Sequence, residues 1–477
     1  MNEMSPARPV PLVVDVDGTL IRTDLLHEAA LQFIARHPLE IWRLAGWTLA
    51  GKARLKAELA DRIDCHAATI PLCEPVVEVI RAAQDADRPV YLASASERRY
   101  VDALAERVGG IAGVFATEGD ANLSGAHKAA RLNEAFGERG YDYVGNSVID
   151  FPVWRSSRRP MVVSASRGFA SRVRRNFPEA EFVAHVPIGI RPYVRALRVY
   201  QWAKNLLVFL PLIAGHSFTP EAIGRAMLAF LCFSLAASSA YVINDLLDIP
   251  GDRHHPRKRA RAFASGTVPV AHGPPIALLL MAAALGGALF LPLAFVGVLT
   301  LYIVLTLGYS HMLKRRVLVD VITLGGLYTI RVLAGVVALD AHESPWLLMF
   351  SLFLFLSLAI VKRCSELVAR RGGSQATIIG RGYRVEDTPV LFGLGAAAGY
   401  GAVLVVALYI ASPEVQVLYT HPGRLWLLCP LFLYWISRVL ILSNRDELHD
   451  DPVIFAFTDR VSWMVAACVG MVIAVAI

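Results

Sequence analysis

Three aspartates in the segment NDLLDIPGD, residues 244–252 and here called the acidic motif, are spaced for joint metal binding. Asp248 and Asp252 follow Asp245 at offsets of three and seven, so on a helix the three carboxylates share one face. The apolar stretch before them is long enough to cross a bilayer, where carboxylates are costly unless a cation neutralises them. Mg²⁺ carrying a pyrophosphate is the expected cation, because it prefers hard oxygen ligands and substrate phosphates. A solvated acidic helix end beside Asn244 is the alternative.

A second pair of carboxylates, Asp15 and Asp17, ends the apolar run PLVVDVDGTL. The period of two in a strand places both on the same side. One carboxylate can then attack phosphorus, while the other handles the leaving group's proton beside a metal. Gly18 and Thr19 supply a tight turn whose amide groups can face a phosphate. The pair predicts phosphoryl transfer through an aspartyl phosphate.

Downstream segments strengthen that prediction. VYLASAS ends a second apolar strand at Ser94, Lys128 follows in NLSGAHKAARL, and YDYVGNSVID ends a further strand-like run at Asp150. In this order the segments resemble the four motifs of the haloacid dehalogenase phosphohydrolase superfamily. The resemblance covers essentially the whole N-terminal domain. It implies an α/β Rossmann-like fold with a small helical cap over residues 25–75.

The same resemblance implies roles for individual residues. It makes Asp15 the nucleophile, Asp17 the acid/base, Ser94 and Lys128 the phosphate-binding residues, and Asp15, Asn146 and Asp150 the Mg²⁺ site. Asn146 departs from the family, which usually has GD where this chain has Gly145-Asn146. An amide oxygen ligates Mg²⁺ without charge, so the expected metal affinity and turnover are lower. A decayed domain kept as a scaffold stays open as an alternative.

The loop after the acidic motif, DRHHPRKRARAFASG, is strongly basic. Its cations, among them Lys258 and Arg259, stand next to the carboxylates in the chain. Such a site can bind several phosphate groups, by metal on one side and by guanidinium on the other. Charge that serves only to orient the chain in a membrane is the alternative.

Further charged residues fall in or near the apolar segments. Asp320 and Arg331 are eleven residues apart, about three helical turns, so they share a face inside one span. They are expected to bind substrate or to pair with each other. Lys362 and Arg363 are spaced for ion pairs with Glu366, which fits a span end as well as a substrate contact. The candidate substrate-binding residues are Lys204, Asn205, Asn244, Lys258, Arg259, Tyr309, Lys314, Arg331, Lys362 and Arg363.

The composition indicates a membrane protein with a soluble part. The 477 residues are 55% hydrophobic, and the mean hydropathy is +0.48. The first 190 residues nevertheless contain no spanning segment. We therefore expect an N-terminal α/β domain at 1–185, a linker with an interfacial helix at 186–203, and an all-α membrane bundle at 204–477. About nine spans are expected, centred near Phe209, Phe233, Ala283, Val304, Gly326, Phe353, Gly399, Leu433 and Val469.

Loop charge predicts the orientation in the membrane. Connections holding DRHHPRKRAR, HMLKRR, KRCSELVARR and RGYR carry most of the Lys and Arg of the membrane domain, which places them in the cytoplasm. The N-terminal domain is expected on the same side of a bacterial inner (plasma) membrane, with Ile477 outside. MNEMSPARP shows no cleavable signal peptide. The net charge of +7 belongs to this bias and to phosphate binding, so no nucleic-acid partner is expected. The six scattered cysteines are typical of reduced or lipid-buried thiols.

The second half of the chain resembles the UbiA superfamily of intramembrane prenyltransferases in its nine spans and its NDxxDxxxD motif. QWAKNLLV, HPRKR, YTIRVLAGV and KRCSEL look like the branch that acts on decaprenyl phosphate. The resemblance implies Mg²⁺-dependent transfer of 5-phosphoribose from phosphoribosyl pyrophosphate to a polyprenyl phosphate or diphosphate lipid. The alternative is attachment of a polyprenyl chain to an aromatic acceptor such as 4-hydroxybenzoate, with a vestigial or regulatory N-terminal domain.

Fusion of the two domains suggests a sequence of reactions. A phosphoribosyl lipid keeps a 5-phosphate, and a tethered phosphatase could remove it at raised local concentration. Destruction of the released pyrophosphate by that phosphatase is the less favoured hypothesis. A homo-oligomer is compatible with the sequence.

Overall fold

The computed structural model describes residues 9–64, 66–118, 122–164, 166–185, 189–216, 218–340, 344–370, 382–448 and 452–477. The chain start, residues 186–188 of the expected linker and the connection 371–381 lie outside the described residues. The chain divides into two compact units, which are described separately. The first unit holds residues 1–197 and 241–277, and the second holds 198–240 and 278–477. The acidic motif and the basic loop therefore fold into the first unit.

A parallel six-stranded sheet forms the centre of the first unit. Its strands are β1 (Leu12–Asp15), β2 (Val90–Glu97), β3 (Gly113–Thr117), β4 (Asp142–Gly145), β5 (Arg159–Ser164) and β6 (Glu181–His185). Their order is β3-β2-β1-β4-β5-β6, with Leu12 opposite Val90 on one side and Asp142 on the other. All of β1 is buried, which explains its unbroken apolar run. The order reverses at β1, where the carboxyl ends of parallel strands open a crevice for ligands.

Helices cover both faces of this sheet and build a small cap. The cap helices are Leu25–Arg36, Trp42–Leu49 and Lys52–Ala60. The Asp24 side chain caps the first of them by accepting a hydrogen bond from the His27 amide. The other helices of this unit are Glu74–Asp85, Arg98–Val108, Ala126–Phe136, Phe151–Ser156, Arg167–Asn176, Ile190–Leu197 and Ile249–His254. The expected Rossmann-like fold with a helical cap is confirmed.

The remaining helices are long and apolar. Within the described residues, seven are long and apolar enough to cross a membrane: Pro220–Leu247, Val270–Ala288, Leu293–Ser310, Val319–Ala338, Pro345–Val368, Val385–Ile410 and Pro422–Asn444. The pair Pro452–Thr458 and Arg460–Ala476 is bent by 77° and forms either an eighth, broken span or a re-entrant loop. These helices confirm the all-α membrane bundle.

The expected first span departs from the prediction. Phe209 lies in the shorter apolar helix Val199–Ala214, which is 3₁₀ up to that residue. Arg198, in the left-handed region at φ 51°, separates it from helix Ile190–Leu197, so the expected interfacial segment is broken there. Lys362, Arg363 and Glu366, expected in a loop, lie instead inside helix Pro345–Val368.

Candidate active sites

Asp15 ends β1 at the crevice and is held by two donors. The Lys128 ammonium donates to Asp15 Oδ1 at 2.7 Å, and the Thr19 hydroxyl donates to Oδ2 at 3.0 Å. Lys128 also donates to the Ala93 carbonyl at 3.1 Å and to the Tyr143 hydroxyl at 3.0 Å. Its Nζ lies 3.9 Å from Asp150 Oδ1. Lys128 therefore connects the two carboxylates that the sequence assigned to nucleophile and metal ligand.

Asp17 has different partners, which join the sheet to the cap. Its Oδ2 accepts hydrogen bonds from Ser94 Oγ at 2.9 Å and from Ser96 Oγ at 2.8 Å. Its Oδ1 accepts from the Leu25 amide, the first residue of the cap helix, at 2.9 Å. Ser94, expected to hold phosphate, thus contacts the predicted acid/base in this structure. Ser96 and Tyr143 were not predicted from the sequence, although Ser96 stands two residues from Ser94 and Tyr143 three residues from Asn146.

Both carboxyl groups have a raised pKa. Burial, opposed by Lys128 and reinforced by Asp150 and Asp17, raises the pKa of Asp15 to about 7. Loss of hydration and the charge of Asp24 also raise the pKa of Asp17. A carboxyl group with a raised pKa can donate a proton near neutral pH, which suits Asp17 as general acid.

Asp150 and Asn146 complete this edge of the sheet. Asp150 Oδ2 accepts from the amides of Asn146 and Ser147 at 3.1 and 3.0 Å, and Oδ1 accepts from Tyr143 at 2.9 Å. Gly18 has φ +70°, and a Cβ there would lie 2.2 Å from Asn146 Nδ2. Asn146 therefore stands directly against the turn that follows Asp17, so the departure from the family lies in the site itself.

The residues around Asp15 suit a divalent cation chemically. Asp15 lies beside the ammonium of Lys128, and the charges of Asp150 and Asp17 raise the pKa of Asp15. Additional positive charge would relieve this repulsion. Nevertheless, in the described ranges no three His, Cys, Asp or Glu side chains converge closely enough to form a ready metal site.

The acidic motif is built differently from the single helical face that its spacing predicted. The helix ends at Leu247, Asp248 has φ −92° and ψ 4°, and Pro250 lies in the first turn of the next helix. Asp245 and Asp252 are 4% and 3% exposed, whereas Asp248 is exposed. The shared face therefore holds for Asp245 and Asp252 only.

Arg261, in the basic loop, links those two carboxylates. Its Nη1 donates to Asp245 Oδ1 at 3.1 Å and to Asp252 Oδ2 at 2.7 Å. Burial raises the pKa of Asp252, against the charges of Arg261 and Lys258, and Asp248 adds to the rise. Two carboxylate oxygens thus meet one cationic atom, a donor set that fits Mg²⁺. Lys258 and Arg259, which were predicted from the sequence to bind substrate, are exposed. Arg261 was not predicted.

Arg331 lies in the second unit, buried in helix Val319–Ala338 and 5% exposed. It donates to Asn205 Oδ1 at 2.8 Å, to the Tyr302 hydroxyl at 3.1 Å, and to the Leu327 carbonyl. Its Cζ lies 4.8 Å from the centre of the Tyr302 ring. Across the described part of the chain, none of its hydrogen-bond partners is a carboxylate. The expected alternative, a pair with Asp320, is therefore wrong.

Asp320 pairs with Arg363 instead. Arg363 Nε lies 2.5 Å from Asp320 Oδ2, and its Nη1 lies 2.6 Å from Glu366 Oε2. The Tyr309 hydroxyl donates to Asp320 Oδ1 at 2.7 Å. Arg363 and Asp320 are 1% and 0% exposed, so this network is built as a structural ion pair. Tyr309 and Arg363 were expected to bind substrate, and the structure ties both to Asp320.

The other candidates of the second unit differ in their burial. Lys204 places its Nζ 5.7 Å from the centre of the Tyr328 ring. Asn205 is 1% exposed and donates to Ser234 Oγ at 3.1 Å in addition to accepting from Arg331. Lys314 and Lys362 are half-buried. Lys204 and Asn205 therefore lie beside Tyr328 and Arg331, respectively, in this unit.

Comparison with known proteins agrees with this architecture. The profile of the UbiA prenyltransferase family matches residues 206–461. The chain belongs to the UbiA prenyltransferase family. A profile of haloacid dehalogenase-like hydrolases matches residues 12–155, which covers β1 through the helix after Asp150. The chain is thus an integral membrane protein of the UbiA family with a haloacid dehalogenase-like N-terminal domain, as both resemblances implied. Proteins of both families generally depend on Mg²⁺.

Several known proteins are similar to this chain. An uncharacterized protein, y4nM, of Sinorhizobium fredii is 35% identical over 467 residues, 97% of this chain and 90% of the relative. The nodulation protein NoeC of Azorhizobium caulinodans is 33% identical over 287 residues, 58% of this chain and 90% of the relative. A decaprenyl-phosphate phosphoribosyltransferase of Mycobacterium tuberculosis is 35% identical over 204 residues, 41% of this chain and 65% of the relative. A solved UbiA homolog from Archaeoglobus fulgidus, bound to DMAPP and Mg²⁺, has 20% identity and a TM-score of 0.45 over 59% of this chain and 99% of its own.

Proposed function

We propose that this protein transfers 5-phosphoribose from phosphoribosyl pyrophosphate to a polyprenyl phosphate, and that its N-terminal domain then removes the 5-phosphate. The observation that carries the proposal is the environment of Arg331. A guanidinium buried in a membrane-spanning helix is costly unless an anion balances it. Its partners here are an amide oxygen, a hydroxyl and a carbonyl. An anionic substrate group, such as the phosphate of a lipid, would supply the missing charge.

The acidic motif supports the transfer step. Asp245, Asp248 and Asp252 are the proposed ligands of a magnesium ion, which would neutralise the charge of a departing pyrophosphate. On metal binding, Arg261 would release Asp245 and Asp252 and join Lys258 and Arg259 in binding pyrophosphate oxygens. Asn244 would line the same site. The acceptor lipid phosphate is already an anion, so the transfer needs no general base. We assign the half-buried Lys204, Lys314 and Lys362 to anionic parts of the substrates.

The N-terminal site supports the second step. Asp15 would attack the phosphorus of the 5-phosphate, and Asp17 would protonate the departing ribose oxygen. Water would then hydrolyse the aspartyl phosphate, with Asp17 accepting its proton. Lys128, which contacts Asp15, would hold the phosphate. Asp150 and Asn146 are the proposed additional Mg²⁺ ligands. Both steps would take place on the cytoplasmic side of a bacterial plasma membrane.

Transfer of label from phosphoribosyl pyrophosphate tests this function. Purified protein in detergent would receive ribose-labelled phosphoribosyl pyrophosphate, a polyprenyl phosphate and Mg²⁺. We expect label in the organic phase, and a loss of about a hundredfold or more in Asp245→Asn. The matched control is Arg225→Gln, since Arg225 forms an exposed pair with Glu221 at the far end of the same helix.

The alternative acceptor is tested in parallel. Label that stays in water, together with prenylated 4-hydroxybenzoate formed from a polyprenyl pyrophosphate, would replace the proposal by the aromatic-acceptor function. Arg331 would then bind the pyrophosphate of the prenyl donor.

A further inference from the structure

A buried ion pair joins the cap helix of the phosphatase-like domain to the end of the acidic motif. Arg253 Nη1 and Nη2 donate to Glu28 Oε2 and Oε1 at 2.8 and 2.6 Å. The two side chains are only 4% and 5% exposed. Arg253 Nε also donates to the Ala264 carbonyl at 3.0 Å. All three nitrogens of this guanidinium are therefore engaged, which fixes its position and orientation.

Each end of the pair adjoins a candidate active site. Arg253 directly follows Asp252, whose carboxylate meets Asp245 on Arg261. Glu28 lies in helix Leu25–Arg36, whose first amide donates to Asp17 Oδ1 at 2.9 Å. One cap helix thus contacts the predicted acid/base of the phosphatase and the residue next to a predicted metal ligand of the transferase.

A second contact joins the same two segments. Gly266, at the end of the basic loop, has φ +69°, and a Cβ there would lie 2.7 Å from Arg22 Cβ and 2.8 Å from Arg22 O. The loop that carries Arg261 therefore packs against the segment between Asp17 and the cap helix. This packing holds the loop independently of the ion pair.

Energy alone does not explain why this contact is ionic. Desolvation of two charges offsets most of their attraction, and apolar side chains of similar volume often stabilise a protein as well. What a bidentate pair adds is a defined geometry. Together with burial, the charge of Arg253 also lowers the pKa of Arg107, which lies on helix Arg98–Val108.

We propose that Glu28 and Arg253 are positioning residues for the metal site of the acidic motif. By holding Arg253, the cap helix sets where the Asp252 carboxylate stands relative to Asp245. The phosphatase-like domain would then be needed for metal binding at the transferase site through its fold, independently of its own catalysis. This inference rests on the metal site proposed above for the acidic motif.

Binding of Mn²⁺ to the full-length protein, followed by electron paramagnetic resonance, tests this role without any substrate. The site of interest is the one that disappears in Asp245→Asn. We expect Glu28→Gln to weaken Mn²⁺ binding at that site by about tenfold, the lower end of what outer-shell changes cause. The matched control is Arg88→Gln, which removes a different ion pair of the same domain. In that pair, Arg88 Nη2 lies 2.5 Å from Asp142 Oδ2. Asp142 keeps Arg158 at 2.7 Å, so this control should fold and bind normally.

A second variant separates positioning from folding. Glu28→Gln leaves the Arg253 charge buried without its partner, which could unfold the protein. Glu28→Met with Arg253→Met removes both charges, so it should fold, yet it should still bind Mn²⁺ about tenfold more weakly. Wild-type affinity in this double variant would overturn the inference while leaving the proposed function intact. If Asp245→Asn removed no Mn²⁺ site at all, the inference and the proposed metal site would both fall.

Discussion

Asp15 and Asp17 are two positions apart in the chain, yet their surroundings separate their roles. Asp15 meets an ammonium and a threonine hydroxyl, whereas Asp17 meets two serine hydroxyls and a backbone amide. Both carboxyl groups have a raised pKa, with that of Asp15 at about 7. A nucleophile must be ionised and a general acid must be protonated, so the pH dependence of hydrolysis reports on both.

The raised pKa of Asp15 predicts the acid limb of phosphatase activity. A carboxyl group with pKa about 7 gains its proton as the pH falls through 7, and the protonated form cannot attack phosphorus. Hydrolysis of p-nitrophenyl phosphate at low Mg²⁺ should therefore decline below about pH 7. Saturating Mg²⁺ should move this limb to lower pH, because a cation favours the carboxylate. A limb near pH 4 at both Mg²⁺ concentrations would contradict the assignment of Asp15.

Arg331 and Arg363 are both buried, but they have different partners. We therefore expect substitution of Arg363 to affect stability and substitution of Arg331 to affect transfer. Arg363→Met leaves Asp320 buried without a countercharge, at a cost of about 3–5 kcal/mol, and adding Asp320→Leu should recover most of it. Arg331→Met should abolish transfer, and Asp320→Leu should not restore it, since Asp320 contacts Arg363 instead. Thermal unfolding in detergent and label transfer measure the two effects. Recovery of transfer in Arg331→Met with Asp320→Leu would defeat the substrate role of Arg331.

At the scale of elements, the helix that carries the acidic motif shows where periodicity stops being informative. Offsets of three and seven predict one face only if the helix continues. Pro250 lies in the first turn of helix Ile249–His254 and has no amide hydrogen with which to continue the preceding helix. The two helices are therefore separated at Asp248. Pro250 is visible in the sequence, but the prediction of a single helical face was based on the spacing of the carboxylates alone. Arg261 could not be chosen over Lys258 and Arg259 from the sequence, because only the fold of the basic loop points it back at Asp245 and Asp252.

The position of Arg261 predicts competition between this loop and a metal ion. Its Nη1 lies between the oxygens of Asp245 and Asp252. Arg261→Gln should therefore raise the Mn²⁺ affinity of the substrate-free protein several-fold, because two buried carboxylates lose the positive charge of Arg261. The same variant should bind pyrophosphate more weakly. Titration of Mn²⁺ by paramagnetic resonance measures the first effect, and a fall in affinity like that of Asp245→Asn would show that Arg261 supports the metal site.

At the scale of the whole molecule, the motifs and the long apolar helices predicted the two folds. Strands with catalytic side chains at their carboxyl ends and long apolar runs are both local sequence patterns. They can be recognised without knowing which distant residues are in contact. The packing of residues 241–277 with the N-terminal domain was beyond such a prediction. Glu28 and Arg253 are 225 residues apart, and neither was among the candidate site residues predicted from the sequence.

Membrane orientation remains a prediction of loop charge and depends on two elements, helix Val199–Ala214 and the bent C-terminal pair of helices. An odd number of crossings places Ile477 outside, and this count requires helix Val199–Ala214 to cross together with the other eight. A reporter that is active only outside the cytoplasm, fused after Ile477, should therefore be active. The same reporter fused before residue 9 should be inactive. An inactive C-terminal fusion with normal expression would mean that either Val199–Ala214 or the bent pair Pro452–Thr458 and Arg460–Ala476 does not cross the membrane.

The central claim is that one chain makes a phosphoribosyl lipid and removes its 5-phosphate. Mass spectrometry of the lipids formed from phosphoribosyl pyrophosphate and a polyprenyl phosphate, by the wild type and by Asp15→Asn, tests it most directly. An amide cannot attack phosphorus, and the acidic motif has its own metal ligands, so Asp15→Asn should accumulate the 5-phosphorylated ribosyl lipid. The wild type should yield the same lipid without that phosphate. An identical phosphorylated lipid from both proteins would contradict the phosphatase role, and the absence of any ribosyl lipid from both would contradict the transferase.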